Sequence, residues 1–158
     1  MENKARELYS VLKQRGLTIS TAESCTGGMI GAALTSVSGM SECYGFGAIT
    51  YANEAKEKLL NVSHTTLERY GAVSDKTAVE MAKGAIALSN ADVAVAVTGI
   101  AGPGGGSAEK PVGLVYIGIA TKDGFAKAYK NNFDGTREEV RKQTVIRALE
   151  IAIETIMR

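Results

Sequence analysis

The chain has 158 residues, with 18 lysines and arginines against 17 aspartates and glutamates, 18 glycines, two cysteines and one histidine. That length fits a single domain, residues 1–158, able to bury about 70% of the surface its unfolded chain exposes. A formal charge of +1 without a basic run gives no footprint for nucleic acid or an anionic membrane. A lone His64, with Cys25 and Cys43 in no C-x-x-C pair, cannot build an ordinary His/Cys zinc site, so a hydrolase on this chain is not expected to be a zinc one.

From Glu2 to Arg15 the apolar residues Ala5, Leu8, Val11 and Leu12 share one face, and Gly16 follows as a stop; this predicts a first helix. The segment lacks the apolar core of a signal peptide, and no apolar run approaches a membrane span. A cytoplasmic protein with reduced cysteines is expected. A strand over 17–22 then enters the loop Glu23 to Gly28, and a second helix carries Met29, Ile30, Ala33 and Leu34.

Aromatic and β-branched residues predict a strand over 44–51, after which Asn53 can cap a short helix to Leu60. Two more helices follow, one within His64 to Tyr70 closed by Gly71, the other over 75–88 between Ser74 and Asn90. Val93 to Val97 is a continuous apolar run, as expected of a central strand buried on both faces. Residues 113–121 and 125–133, separated by Lys122-Asp123-Gly124, predict a hairpin. The last helix runs from Thr136 to Met157, with Thr136 and Glu139 at capping-box spacing. Helices alternating with strands predict a three-layer α/β/α sandwich with a mixed, mostly parallel sheet. Ligands in such folds gather beyond the carboxyl ends of strands, here the loops after Ala22, Tyr51 and Val97.

In Thr21-Ala22-Glu23-Ser24-Cys25-Thr26-Gly27-Gly28 a strand hands over to a helix whose first N–H groups suit a phosphate, a carboxylate or a developing oxyanion. Ser24 is a candidate nucleophile, with Gly27 and Gly28 allowing close approach; spacing alone favours the plainer reading, in which Ser24 or Thr26 caps the helix. Cys25 competes, since a thiol at a helix start can have a lowered pKa, although small buried cysteines are common. G-x-S-x-G is absent, which excludes the usual hydrolase elbow. The run from Thr98 to Ser107 holds Gly99, Gly102 and Gly104 to Gly106 but matches neither a P-loop nor a dinucleotide fingerprint.

Tyr51 ends a strand and Lys56 lies on the helix after it. Lys56 reads as a solvated side chain, or as a desolvated amine that takes the proton of a serine. An isolated helix favours the former, and poverty in histidine makes the latter more attractive. Arg137 and Arg141, four apart, share a helix face and suit either solvent or a phosphate.

TAESCTGG at 21–28, GAITYANEAKEKLLNV at 47–62, GAVS at 71–74 and TGIAGPGGGSAEKPVG at 98–113 together resemble the CinA C-terminal domain family, in order and over nearly the whole chain. That family includes a stand-alone amidase of nicotinamide mononucleotide. The resemblance implies metal- and cofactor-independent hydrolysis of the nucleotide's carboxamide, with Ser24 as nucleophile, Lys56 as base and Tyr51 as a supporting group. It further implies that Thr26, Gly27, Gly28, Thr98 and Gly99 line the site, and that Arg137 or Arg141 holds the substrate phosphate. Asn61 stands where the family usually has Gly; both tolerate a left-handed helix end. A non-catalytic nucleotide-binding or regulatory module is the competing expectation. A homo-oligomer is expected, with a small nucleotide as the ligand and neither nucleic acid nor membrane as a partner.

Overall fold

The computed structural model describes residues 1–158. In chain order the elements are α1 (Glu2–Arg15), β1 (Ile19–Glu23), α2 (Met29–Thr35), β2 (Tyr44–Ile49), α3 (Asn53–Leu60), α4 (His64–Tyr70), α5 (Asp75–Ser89), β3 (Val93–Gly99), β4 (Leu114–Thr121), β5 (Ala126–Asn132) and α6 (Arg137–Ile156). A 3-10 turn at Met40–Glu42 precedes β2. The sheet order is β2-β1-β3-β4-β5. β1 pairs parallel with β2 and β3, and the β3–β4 and β4–β5 pairs are antiparallel. All strands but β4 therefore run the same way, giving the expected mixed, mostly parallel sheet.

The alternation Val93-Ala94-Val95-Ala96-Val97 explains the three layers. Its valines join a large core with Leu8 and Leu12 of α1, Ile30 and Leu34 of α2 and Leu149 of α6. Its alanines face the opposite way, into a smaller core with Leu60, Leu67, Met81 and Ala85. One face thus carries bulky side chains beneath α1, α2 and α6, the other small ones beneath α3, α4 and α5. The small face lets α5 lie close to the sheet. A Cβ on Gly118 of β4 would stand 2.2 Å from the Ala78 carbonyl oxygen, and one on Gly84 of α5 2.0 Å from that of Leu60.

Four expected boundaries move for physical reasons. β1 begins at Ile19 because Thr18 donates through its N–H and hydroxyl to Asp92, each at 2.8 Å. Its ladder extends to Glu23, which pairs with Ile49 and Val97. Ala52, not Asn53, caps α3, its carbonyl accepting the Lys56 N–H. β2 stops at Ile49, beyond which the carbonyls of Thr50 and Tyr51 turn toward Lys56. The capping box of Thr136 and Glu139 forms, and Asn61 ends α3 in the left-handed region at φ 54°. No helix is long and apolar enough to cross a membrane.

Candidate active site

β1 and β3 point their carboxyl ends at the same edge of the sheet, where the Ser24 N–H donates to the Val97 carbonyl at 3.0 Å. That edge holds a cavity of about 190 Å³ lined by Ser24, Cys25, Tyr51, Lys56, Ala72, Val73, Thr98, Gly99, Ala101 and Arg137. Every loop expected to gather a ligand contributes to it. So does the GAVS segment before α5, whose Ala72 carbonyl accepts the Thr98 hydroxyl at 2.8 Å.

Lys56 is not a surface lysine. It projects inward from α3, is 1% exposed, and is the largest fully buried side chain of the protein. Its Nζ lies 3.0 Å from Ser24 Oγ, 2.7 Å from the Thr50 carbonyl oxygen and 3.2 Å from that of Tyr51. Desolvation lowers its pKa from the usual 10.5 to about 8. A neutral amine has two hydrogens and one lone pair, and carbonyls can only accept. With both hydrogens on the carbonyls, the lone pair is left facing the Ser24 hydroxyl. This arrangement can take a proton from Ser24.

Cys25 lies in the large core and burial pushes its thiol up to about 11. The thiol stays protonated near neutrality, the opposite of an activated nucleophile. Tyr51 contributes its carbonyl to Lys56 and is itself 64% exposed at the cavity rim, its hydroxyl 3.4 Å from Arg137 Nη2.

The start of α2 differs from the expectation of an open anion site. Glu23 is 1% exposed, and its carboxylate accepts from Thr26 Oγ1 at 2.5 Å and from the N–H groups of Gly28, Ile30 and Gly31 at 3.1, 3.0 and 2.8 Å. The helix N-terminus already holds a carboxylate of its own chain. Thr26 and Gly28 are therefore engaged by Glu23, and the Gly27 N–H donates to the Ser24 carbonyl at 3.1 Å. In this turn the N–H groups of Cys25 and Thr26 are the ones without an acceptor in the protein. Sequence reasoning assigns Glu23 no role; its signal is a carboxylate that closes a strand just before a helix, with a hydroxyl three residues on.

The two arginines also separate. Arg137 lines the cavity, donating through Nη1 to the Gly102 carbonyl at 2.8 Å. Arg141 lies outside the lining and donates to backbone, Nε to the Cys25 carbonyl at 3.0 Å and Nη2 to that of Thr26 at 3.1 Å. Of the second glycine run, Thr98, Gly99 and Ala101 reach the cavity. Gly104, Gly105 and Gly106 are exposed in an outward excursion that Lys110 ties to the Tyr70 carbonyl.

A family model described as the CinA C-terminal domain matches residues 1–156. The chain is 49% identical over 152 residues to the nicotinamide-nucleotide amidohydrolase PncC of Enterobacter agglomerans, covering 96% of this chain and 93% of that protein. It is 50% identical over 143 residues to a putative competence-damage inducible protein of Clostridium novyi (strain NT), covering 90% of this chain but only 34% of the longer relative. Among solved structures, the competence/damage inducible protein CihA of Agrobacterium tumefaciens superposes with a TM-score of 0.95 at 47% identity, covering 99% of this chain and 95% of that one.

Proposed function

The chain belongs to the CinA C-terminal domain family, and from that premise we propose that it hydrolyses the carboxamide of nicotinamide mononucleotide to nicotinate mononucleotide and ammonia. The observation that carries this reading is the buried Lys56 amine 3.0 Å from Ser24 Oγ, its other contacts being carbonyls. The likeness to a relative named as a nicotinamide-nucleotide amidohydrolase, over nearly the full length of both chains, supports the substrate.

Neutral Lys56 takes the Ser24 proton as Oγ attacks the carboxamide carbon. Main-chain N–H groups of the turn after Ser24 hold the tetrahedral oxyanion. The lysine proton passes to the departing nitrogen, the C–N bond breaks and ammonia leaves an acyl-enzyme. Lys56 then deprotonates a water that releases the acid. Every proton is carried by Lys56, and no metal enters.

The cavity, at about 190 Å³, is smaller than the roughly 300–1,000 Å³ that encloses a drug-sized ligand. It suits the pyridine ring and carboxamide, leaving the ribose phosphate at the mouth. Thr98 and Gly99 form the wall, and the Arg137 guanidinium at the rim takes the phosphate, with Tyr51 beside it. Arg141 is assigned no phosphate contact, because it lies outside the cavity lining and is directed at the serine turn.

The test is ammonia release from nicotinamide mononucleotide without added metal and again with a chelator, the outcome expected being equal rates. Ser24→Ala and Lys56→Ala should each lower kcat by about three powers of ten or more. Full activity in Ser24→Ala together with loss in Cys25→Ala would sink the serine assignment. Nucleotide binding by calorimetry without turnover would replace the amidase with a binding module.

A further inference from the structure

Two peptide units follow Ser24, and in each the carbonyl is held while the N–H has no partner in the protein. The Ser24 carbonyl accepts from the Gly27 N–H at 3.1 Å, which leaves the Cys25 N–H free. The Cys25 carbonyl accepts from Arg141 Nε at 3.0 Å, which leaves the Thr26 N–H free. In a trans peptide the C=O and N–H point in opposite directions across one plane. Fixing the Cys25 carbonyl toward α6 therefore fixes the Thr26 N–H away from α6. A cation donating to the carbonyl also polarises the peptide and strengthens its N–H as a donor.

We propose that Arg141 is a positioning residue for the reaction at Ser24: its guanidinium aims and polarises the Cys25–Thr26 peptide so that the Thr26 N–H, beside that of Cys25, receives the oxyanion. The inference rests on the nucleophilic role of Ser24 and deepens it. Arg141 sits 117 residues after Ser24 in the sequence and reaches the turn from α6, the second bond from Nη2 to the Thr26 carbonyl fixing the plane of the guanidinium. Glu23 holds the same turn from the other side, through the Thr26 hydroxyl and the Gly28 N–H. The turn is thus clamped by an anion and a cation of the chain itself. A lysine at 141 would have to reach both carbonyls from a single nitrogen on a flexible stem, whereas the guanidinium holds them from two nitrogens of one rigid plane.

This role differs from a grip on substrate phosphate in what it changes. Phosphate binding acts on KM, whereas an oxyanion donor acts on the chemical step, where losing one costs about 10²–10³ in kcat. Arg141 acts through the peptide rather than by contact, so about a 10–100-fold loss is expected, as for a small misplacement of reacting groups.

Two measurements decide it. The first is steady-state ammonia release from nicotinamide mononucleotide by Arg141→Gln and Arg141→Lys, with kcat expected to fall and KM to stay within about twofold. The second is the pre-steady-state burst of p-nitrophenolate from p-nitrophenyl acetate, in which the Ser24 Oγ–acyl bond forms, p-nitrophenolate leaves and the proton stays on Lys56. This probe carries no phosphate and needs no nucleotide specificity. The burst should slow by the same factor in Arg141→Gln, vanish in Ser24→Ala, and recover in Arg141→Ala when guanidinium ion is added. Its pH midpoint should match the wild type, because the Ser24–Lys56 pair is untouched.

A burst as fast as wild type in Arg141→Gln overturns the inference, as does a rise in KM with unchanged kcat, and so does a displaced pH midpoint. A normal wild-type burst without ammonia release overturns the substrate reading alone, and the Arg141 comparison is then made on the burst. No burst and no ammonia release in the wild type overturn both. Should Arg141→Gln fail to fold by far-UV circular dichroism, Arg141→Lys with the same readouts decides.

Discussion

At the scale of the residue, the activity proposed for this chain depends on one lysine being unlike other lysines. Lys56 is buried, and its charged form is disfavoured by lost solvation, which brings its pKa to about 8. As the base must be neutral, kcat/KM should rise about tenfold per pH unit below the midpoint and flatten above it, measured as ammonia release from pH 6 to 9.5. A rate that is flat across this range would remove Lys56 from the base role. The same shift has a stability consequence whose sign is fixed. Between about 8 and 10.5 the unfolded chain holds a proton on Lys56 that the folded chain has released, so stability rises with pH through this window and is lost as pH falls toward 8. Lys56→Met removes this dependence. Denaturant unfolding of the two proteins should therefore show their stability difference moving in favour of the wild type as pH rises from 8 to 10.5. Arg137 belongs to the same scale. Arg137→Gln should raise KM for nicotinamide mononucleotide by about tenfold or more, as expected for a lost charge-assisted contact, while the riboside, lacking phosphate, should be unaffected.

At the scale of the element, the layered fold follows from period-two alternation in β3. Valine on one face and alanine on the other dictate a thick layer and a thin one, and the thin one is closed by glycine. Gly118→Ala places a methyl carbon 2.2 Å from a main-chain oxygen of α5 that has no rotamer to escape into. A loss of about 1–3 kcal/mol or more is expected, read from the denaturation midpoint; an unchanged midpoint would show that α5 can lift freely. Such elements were legible in the sequence because periodicity, caps and turn glycines are local signals, and the capping box at Thr136 and the left-handed Asn61 appear where the pattern puts them. The site was legible only in part. Resemblance paired Ser24 with Lys56, whereas spacing alone reads the lysine as a solvated side chain, because nothing local records that α3 turns its Lys56 inward. The start of α2 looked like an anion site for a related reason. Sequence shows that a helix presents free N–H groups, but not that Glu23 of the preceding strand folds back to take three of them. Arg137 and Arg141 share a helix face by their spacing, and only tertiary contacts send one to the cavity and the other to the serine turn.

At the scale of the molecule, the cavity is shared between both helical layers and the sheet. Lys56 comes from α3 on the thin side, Arg137 from α6 on the thick side with Arg141 of the same helix behind the serine turn, and Ser24 and Thr98 from the carboxyl ends of β1 and β3 between them. No contiguous piece of chain contains the machinery. Seven of the large core's buried residues, Val140, Val145, Ala148, Leu149, Ile151, Ala152 and Ile156, lie on α6 itself, so the helix that delivers both arginines cannot detach without exposing that core. Detaching α6 is then about as costly as opening the large core, and a small protein whose two cores share one sheet is expected to unfold as one unit. The expected outcome is that ammonia release, far-UV circular dichroism and tyrosine fluorescence lose their native values over the same range of urea. Leu149→Ala, which empties part of that core about two turns along α6 from Arg141, should move all three midpoints together by an amount corresponding to about 2–5 kcal/mol, with kcat in the absence of urea unchanged. If activity were lost at lower urea than the circular dichroism signal, the site would be melting ahead of the sheet. The clamp of Glu23 and Arg141 on the serine turn would then be weaker than the core beneath it.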